Sequence, residues 1–316
     1  MAHKHTLLIA AQWGFLLLLL TVIYSCFSHS EPIVRDLEAE RLDKVRRINE
    51  TAIRATINPD TVEGYDDLET LTADAWILVD DATGCLISER NADRRHYMAS
   101  LTKMMTCLLA LERGNRGDSI EITPDVFVTR DSRVRVGDGY IVEDLISEMM
   151  LFSDNNAAYA LAKQVGGDTL SFYQMMNEKA AYLRMDSTHF ANPNGMPNDS
   201  NYSSARDLVT LARYCMQDTT FASIVSTVEQ DIPLLDGRHL PCRNTNVLLS
   251  TYEGCIGIKT GYTRQAGNCL ASAATREGTT LYLILLGSRS HMSRFTESAI
   301  LLDYGFRVMD AYHAYR

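Results

Sequence analysis

MASLTKMMT, residues 98–106, places a hydroxyl and an amine three residues apart, just before a run of good helix formers. Positions i and i+3 of a helix share one face, so Ser100 Oγ and Lys103 Nζ can meet. Two methionines follow Lys103, and loss of water disfavours the charged form of a lysine. A partly neutral lysine can activate a serine hydroxyl, and a helix N-terminus favours the negative charge that develops. Because Ser-x-x-Lys also arises by chance, this interpretation needs support from the rest of the chain.

Composition excludes several classes of protein. The chain has 316 residues, of which 46% are hydrophobic and 22% charged, a balance that is ordinary for a globular protein. The formal net charge is −10 and no basic stripe accompanies an aromatic pattern, so we expect no nucleic-acid partner. The seven cysteines include no Cys-x-x-Cys pair and no zinc spacing, and no disulfide framework, metal or cofactor is expected. Cys242 and Cys255 flank a loop, and an oxidising compartment would allow them to pair.

The N-terminal region predicts export. Residues 6–25 are uncharged and apolar, and about 20 such residues can span a bilayer, whereas the apolar part of a signal peptide is usually about 7–15 residues long. We therefore expect residues 1–30 to be a membrane anchor or a signal peptide, with the anchor favoured. Residues 31–70 are rich in charge, with apolar residues spaced for one helix face, and are predicted to form a stalk and linker.

The remaining residues, 71–316, are predicted to form one α+β domain. Extended segments are predicted at 74–80, 85–88, 119–128, 255–263, 267–274 and 279–286, and helices after Ser100 and at about 141–151, 156–165, 169–184, 205–216 and 295–308. Strands at both ends of the domain with helices in the middle favour an antiparallel sheet flanked by helices.

Two further motifs follow the Ser100 pair. SDN, residues 153–155, forms a polar break between two predicted helices. The Ser153 hydroxyl there is suited to relaying a proton to a leaving amine, and Asn155 to holding Lys103 or the backbone of a substrate. Taken alone, the motif could equally be an ordinary helix cap.

KTG, residues 259–261, ends a predicted edge strand, which can pair with an extended peptide. Lys259 brings positive charge for a terminal carboxylate and Thr260 brings a hydroxyl. Gly261 has no side chain, so a substrate can approach the strand closely. We expect the backbone N–H groups of Ser100 and Tyr262 to form an oxyanion hole. The three motifs together, in this order, favour acyl transfer through a serine nucleophile.

The sequences around these motifs resemble the D-alanyl-D-alanine carboxypeptidases of the low-molecular-mass penicillin-binding proteins. They are YMASLTKMMT (97–106), FANPNGM (190–196), YSSARD (202–207) and GIKTGYT (257–263), and the resemblance runs from about residue 74 to residue 307. It implies a β-lactamase/transpeptidase-like fold with a mainly helical subdomain. It also implies a serine-type carboxypeptidase that removes the terminal D-Ala of peptidoglycan stem peptides through an acyl-enzyme on Ser100, and that β-lactams inhibit. By the same resemblance, Arg289 helps to hold the substrate carboxylate.

The chain departs from the family pattern in two places. Met98 stands where the family often has proline, a change that we expect to be tolerated. The family often continues into a C-terminal β-domain with a membrane-binding tail, whereas this chain ends at Arg316. We therefore expect no such domain, and expect residues 6–25 to hold the enzyme at the cell envelope.

Two alternatives remain at this point. A class A β-lactamase shares the three motifs, but it hydrolyses its acyl-enzyme with a Glu in a Glu-x-x-Leu-Asn segment, and the corresponding region here reads NPNG (192–195). The other alternative is a membrane-held module that senses muropeptides or β-lactams without turnover. The completeness of all three motifs argues against it. Substrate length, crosslink preference and oligomeric state are left open.

Overall fold

The computed structural model describes residues 38–315. Residues 38–44 are helical, and a compact unit starts at Val45. The apolar segment at residues 6–25, the expected anchor or signal, lies outside the described residues. None of the described helices is long and apolar enough to cross a bilayer.

The compact unit combines nine strands with nine α-helices in its described residues. The strands are β1 (Ala75–Asp80), β2 (Leu86–Arg90), β3 (Ser119–Glu121), β4 (Gly139–Ile141), β5 (Glu229–Pro233), β6 (His239–Arg243), β7 (Cys255–Thr263), β8 (Gly267–Arg276) and β9 (Thr279–Ser288). The helices are α1 (Ala52–Thr56), α2 (Lys103–Arg113), α3 (Val142–Leu151), α4 (Asn155–Gly166), α5 (Thr169–Tyr182), α6 (Ala205–Cys215), α7 (Thr219–Ser226), α8 (Leu248–Thr251) and α9 (Ser293–Ala314). Short 3-10 helices occupy Pro59–Thr61, Asp66–Thr70, Ala99–Thr102 and Pro124–Val126. The predicted α+β class is confirmed.

The main sheet is antiparallel and has five strands in the order β2-β1-β9-β8-β7. Every residue of β1 is buried, as its continuous apolar run predicts. Trp76 and Leu78, at alternate positions of β1, share one apolar core with Leu301 and Leu302 of α9. β7 is an outer strand of this sheet, so one of its edges carries no strand of the sheet.

The helical subdomain is built around α2. The first eight residues of this helix are buried, and it packs against α3, α4, α5, α6 and α7. The 3-10 turn that precedes it, Ala99–Thr102, packs against β7. The Ser100 turn therefore lies where the helical subdomain meets the outer strand of the sheet.

Residues 45–70 correct the predicted stalk. Ile53 and Leu68 are only 1% and 5% exposed and belong to the same apolar core as α9. Arg213 Nη1 also donates to the carbonyl oxygens of Val45 (3.1 Å) and Arg47 (3.2 Å). Ile53 and Leu68 are thus buried against the domain rather than exposed on a spacer, and the folded unit begins near residue 45 instead of residue 71.

Two local expectations also need revision. The extended stretch at 119–128 shortens to β3, because Pro124 lacks an N–H and its fixed φ suits the start of a helical turn. The β5–β6 hairpin was not anticipated. Cys242 and Cys255, which an oxidising compartment could have joined, are both unpaired.

Candidate active site

Lys103 Nζ is the centre of the site. It lies 3.0 Å from Ser100 Oγ, 2.8 Å from Asn155 Oδ1 and 2.7 Å from the carbonyl oxygen of Asn194. Ser100 lies in the 3-10 turn and Lys103 is the first residue of α2, which gives the spacing that the sequence predicts. The structure thus brings Ser100, Lys103 and Asn155 together.

Burial changes the chemistry of this amine. Lys103 is fully buried, and loss of water lowers its pKa to about 7, although the negative charge of Asp154 acts in the opposite direction. A neutral lysine has two N–H donors and one lone pair. Asn155 Oδ1 and the carbonyl oxygen of Asn194 can only accept, so they take the two donors. The lone pair is then left for the hydroxyl proton of Ser100.

Ser153 lies at the break between α3 and α4. Its φ of +75° is in the left-handed region, which is unfavourable for a residue with a side chain and clusters at functional sites. The next residue, Asp154, caps α4 by accepting from the backbone N–H of Ala157 (3.0 Å). The capping interpretation and the functional interpretation of this motif are therefore compatible: Asp154 caps, while Asn155 reaches Lys103.

The Lys259–Gly261 segment lies on β7 and is buried. Loss of water lowers the pKa of Lys259 well below its usual value, and repulsion from Lys103 and Arg294 adds to the shift. Thr260 Oγ1 is 2.7 Å from Thr245 Oγ1.

The structure explains the glycine at position 261 by packing, whereas the sequence led us to expect access for a substrate. A Cβ at this position would lie 3.1 Å from the backbone nitrogen of Ser100 and 3.2 Å from the carbonyl oxygen of Met98. The missing side chain thus lets β7 contact the backbone of the Ser100 turn directly. Tyr262, the next residue, is 62% exposed, so its side chain lies at the open side of the strand.

Arg294 is the residue that sequence reasoning missed. It is 4% exposed, and its Nη1 donates to the carbonyl oxygen of Gly261 (3.0 Å), while its Nε is buried without a hydrogen-bond partner. Arg289 is exposed instead, and its backbone N–H donates to Thr72 Oγ1 (3.1 Å). The sequence signal that could have pointed to Arg294 is its place in the first turn of the helix that follows the last strand. That strand lies in the same sheet as β7.

These contacts define a class of protein. A buried lysine that contacts a serine at the start of a helix, beside the outer strand of an antiparallel sheet, is the arrangement of a serine acyl-transfer enzyme. No group of His, Cys, Asp and Glu side chains suited to a metal occurs among residues 38–315.

Comparison with known proteins gives the family. The model of the D-alanyl-D-alanine carboxypeptidase family matches residues 61–290. The chain is 33% identical over 260 residues to the D-alanyl-D-alanine carboxypeptidase of Streptomyces sp. strain K15, covering 75% of this chain and 88% of that one. It is 32% identical over 255 residues to DacC of Escherichia coli, covering 76% of this chain and 63% of that relative. The crystal structure of the Streptomyces K15 DD-transpeptidase is similar with a TM-score of 0.71 and 32% identity over 75% of this chain and 97% of that one.

The chain therefore belongs to the D-alanyl-D-alanine carboxypeptidase family of penicillin-binding serine peptidases. This confirms the family, the fold and the enzyme class that the sequence predicts.

Proposed function

We propose that this protein removes the terminal D-Ala from peptidoglycan stem peptides with Ser100 as nucleophile and Lys103 as general base. The single observation that supports these roles is the set of three contacts at Lys103 Nζ, which leaves a lone pair for the Ser100 hydroxyl proton. The pKa of Lys103 is about 7, which keeps a large share of its amine neutral at neutral pH. Ser100 Oγ attacks the carbonyl carbon of the penultimate D-Ala, and the resulting ester replaces the peptide bond.

The substrate is proposed to bind as an extended strand along the free edge of β7. Arg294 supplies positive charge for its terminal carboxylate, and that carboxylate in turn favours the protonated form of Lys259. Arg294 is better placed for this than the exposed Arg289. The backbone N–H groups of Ser100 and Tyr262 are proposed as the oxyanion hole, since Gly261 allows the two segments to lie close together.

Release of D-Ala needs a proton on its amine. Ser153 is the proposed relay from Lys103. It lies in the same turn as Asn155, and Asn155 Oδ1 contacts Lys103 Nζ. Water then attacks the ester on Ser100, which frees the shortened peptide and restores the serine. The atoms balance: one water is consumed, and one D-Ala and one shortened peptide are released.

The place of action is proposed to be the cell envelope, where the substrate is made. We propose that residues 6–25 retain the enzyme at the membrane, on the basis of their length and apolar composition. N-terminal sequencing of the mature protein tests this, since removal of residues 1–30 would contradict a retained anchor.

Release of D-Ala from a diacylated Lys-D-Ala-D-Ala peptide tests the activity. We expect the wild-type protein to release D-Ala and the Ser100→Ala variant, at equal concentration and with the same circular dichroism spectrum, to release none above the uncatalysed rate. Release by Ser100→Ala at the wild-type rate would contradict the assignment of the nucleophile.

A further inference from the structure

Arg133, a residue outside all three motifs, contacts both sequence neighbours of Ser153. Its guanidinium carbon lies 4.2 Å from the ring centroid of Phe152, and its backbone N–H donates to Asp154 Oδ2 (2.9 Å). A guanidinium over an aromatic face is attracted by the ring, and a carboxylate accepts strongly from a backbone N–H. Arg133 therefore holds the Ser153 turn from both sides.

Arg133 is itself fixed by a buried carboxylate. Its Nε and Nη2 donate to the two carboxylate oxygens of Glu148 (3.0 and 2.8 Å), and its Nη1 donates to the carbonyl oxygen of Pro241 (2.7 Å). The side chain of Glu148 is fully buried, whereas that of Arg133 is 25% exposed. A bidentate pair of this kind fixes the plane of the guanidinium. One side chain thus ties α3, the β5–β6 hairpin and the Ser153 turn together.

The loop around Arg133 is bound to the same turn. Ser132 Oγ donates to Asp154 Oδ1 (2.7 Å), and Asn156 Oδ1 accepts from the backbone N–H groups of Val128 (2.9 Å) and Thr129 (3.1 Å). The residues on either side of Asn155 therefore both bind the segment 128–134. A shift of this segment would move Asn155, and with it one of the acceptors of Lys103 Nζ.

We propose that Arg133, anchored by Glu148, is a positioning residue that keeps Ser153 and Asn155 in place for acylation of Ser100. The proposal rests on the function given above. Ser153 has a left-handed backbone, and such a conformation persists only where its surroundings enforce it. We do not propose that Arg133 or Glu148 contacts the substrate, so both residues act through the Ser153 turn.

Two variants separate positioning from folding. The double variant Arg133→Met/Glu148→Leu removes both charges together, which avoids leaving one of them buried without its partner. Arg133→Lys keeps the charge but loses the bidentate fork and the flat face over Phe152. Lys179→Met is the matched control, because it breaks another ion pair between elements, Lys179 Nζ to Glu112 Oε2 (2.7 Å), which joins α5 to the far end of α2.

The measurement is the rate of covalent labelling of Ser100 by a fluorescent penicillin, followed over a range of penicillin concentrations. We expect the limiting rate of acylation to fall about tenfold or more in both Arg133 variants, with a half-saturating concentration close to that of wild type. Lys179→Met should label at the wild-type rate, and thermal unfolding should show all variants folded at the assay temperature.

The outcomes are distinguishable. If the wild-type protein is not labelled, or if Ser100→Ala is labelled equally, the proposed function itself fails. If the wild type is labelled on Ser100 and either Arg133 variant acylates at the wild-type limiting rate, the positioning role is wrong while the proposed function stands. A rate loss in Lys179→Met as large as that in the Arg133 variants would also overturn it, because the effect would then follow general loosening of the fold.

Discussion

At the scale of single residues, three oxygen atoms share the amine of Lys103, and only one of them carries a proton that it can give. The Ser100 hydroxyl can donate, whereas Asn155 Oδ1 and the Asn194 carbonyl oxygen can only accept. Burial makes the neutral amine accessible near neutral pH. The proposed reactivity of Ser100 thus follows from where Lys103 is buried and from what surrounds its nitrogen.

The pH dependence of acylation follows from this environment. The base must be unprotonated to accept the Ser100 proton, and its pKa is lowered to about 7. The second-order rate of penicillin acylation should therefore be low at acid pH, rise as pH passes about 7, and level off above it. Stopped-flow measurement across this range checks the sign, and a rate that falls as pH rises through neutrality would contradict the role of Lys103.

Lys103→Arg provides the control for that profile. Arginine stays charged at every accessible pH, so we expect acylation to fall about a thousandfold with no recovery at alkaline pH. Lys163→Arg makes the same change at an exposed lysine that pairs with Asp125, and should leave the rate unchanged.

The two arginines near the end of the chain can be told apart by substrate preference. Arg294 is buried and bonded to Gly261, so we expect Arg294→Met to lose about 10- to 100-fold in kcat/KM for a peptide ending in a carboxylate. The same variant should lose little for the C-terminal amide of that peptide. Arg289→Met should keep the wild-type preference for the acid, because that side chain is exposed. The opposite pattern would restore Arg289 to the role that the family resemblance implied.

At the scale of elements, the site depends on how closely the Ser100 turn approaches β7. Gly261 allows that contact, since a Cβ there would lie 3.1 Å from the Ser100 nitrogen. Lys259, Thr260 and Tyr262 can only be set against Ser100 if the strand lies this close. The glycine is therefore part of the packing between two elements as well as of the edge proposed to bind the substrate.

Gly261→Ala tests this packing. The added methyl group should push β7 from the turn, and we expect acylation to slow by about 100-fold while the protein remains folded. Gly117→Ala is the control, because the nearest atom to its Cβ would lie 3.8 Å away and the residue has an ordinary backbone. Equal acylation rates for wild type and Gly261→Ala would show that the close approach is dispensable.

The sequence predicts the elements of this site better than their contacts. Spacing alone is enough to pair Ser100 with Lys103, and polar capping residues are enough to place Ser153 between two helices. Arg294 and Arg133 could not be found in this way. Arg294 reaches the site through Gly261, and Arg133 reaches the Ser153 turn through Phe152 and Asp154. These contacts are distant in sequence, and no local pattern encodes them.

At the scale of the whole molecule, the folded unit includes residues that look like linker in the sequence. Arg213 of α6 has a fully buried side chain that binds the carbonyl oxygens of Val45 and Arg47, and its Nε donates to Asp81 Oδ1 (3.2 Å). Charge-rich composition predicted a solvated spacer, but Ile53 and Leu68 lie in the core. Composition averages over a segment, whereas a few apolar side chains decide whether it packs.

Arg213→Met should therefore destabilise the whole domain. Loss of a buried guanidinium that fixes residues 45–47 to α6 should lower the free energy of unfolding by about 3 kcal/mol, measured by urea denaturation. Arg206→Met on the same helix is the control. Arg206 pairs with Glu50, Glu89 and Asp93, whose side chains are 62%, 36% and 72% exposed, so its loss should cost less than about 1 kcal/mol. A loss of less than about 1 kcal/mol in Arg213→Met as well would show that the contacts of Arg213 with residues 45–47 add little stability.

We propose that Ser100, activated by Lys103, forms a covalent acyl-enzyme in a carboxypeptidase that does not hydrolyse β-lactams rapidly. Mass spectrometry of the protein incubated with benzylpenicillin, followed by peptide mapping, tests this proposal. We expect a long-lived mass increase of one penicillin per chain, located on the peptide that carries Ser100 and absent from Ser100→Ala. Rapid penicillin turnover without an accumulated adduct, or an adduct on another residue, would contradict it.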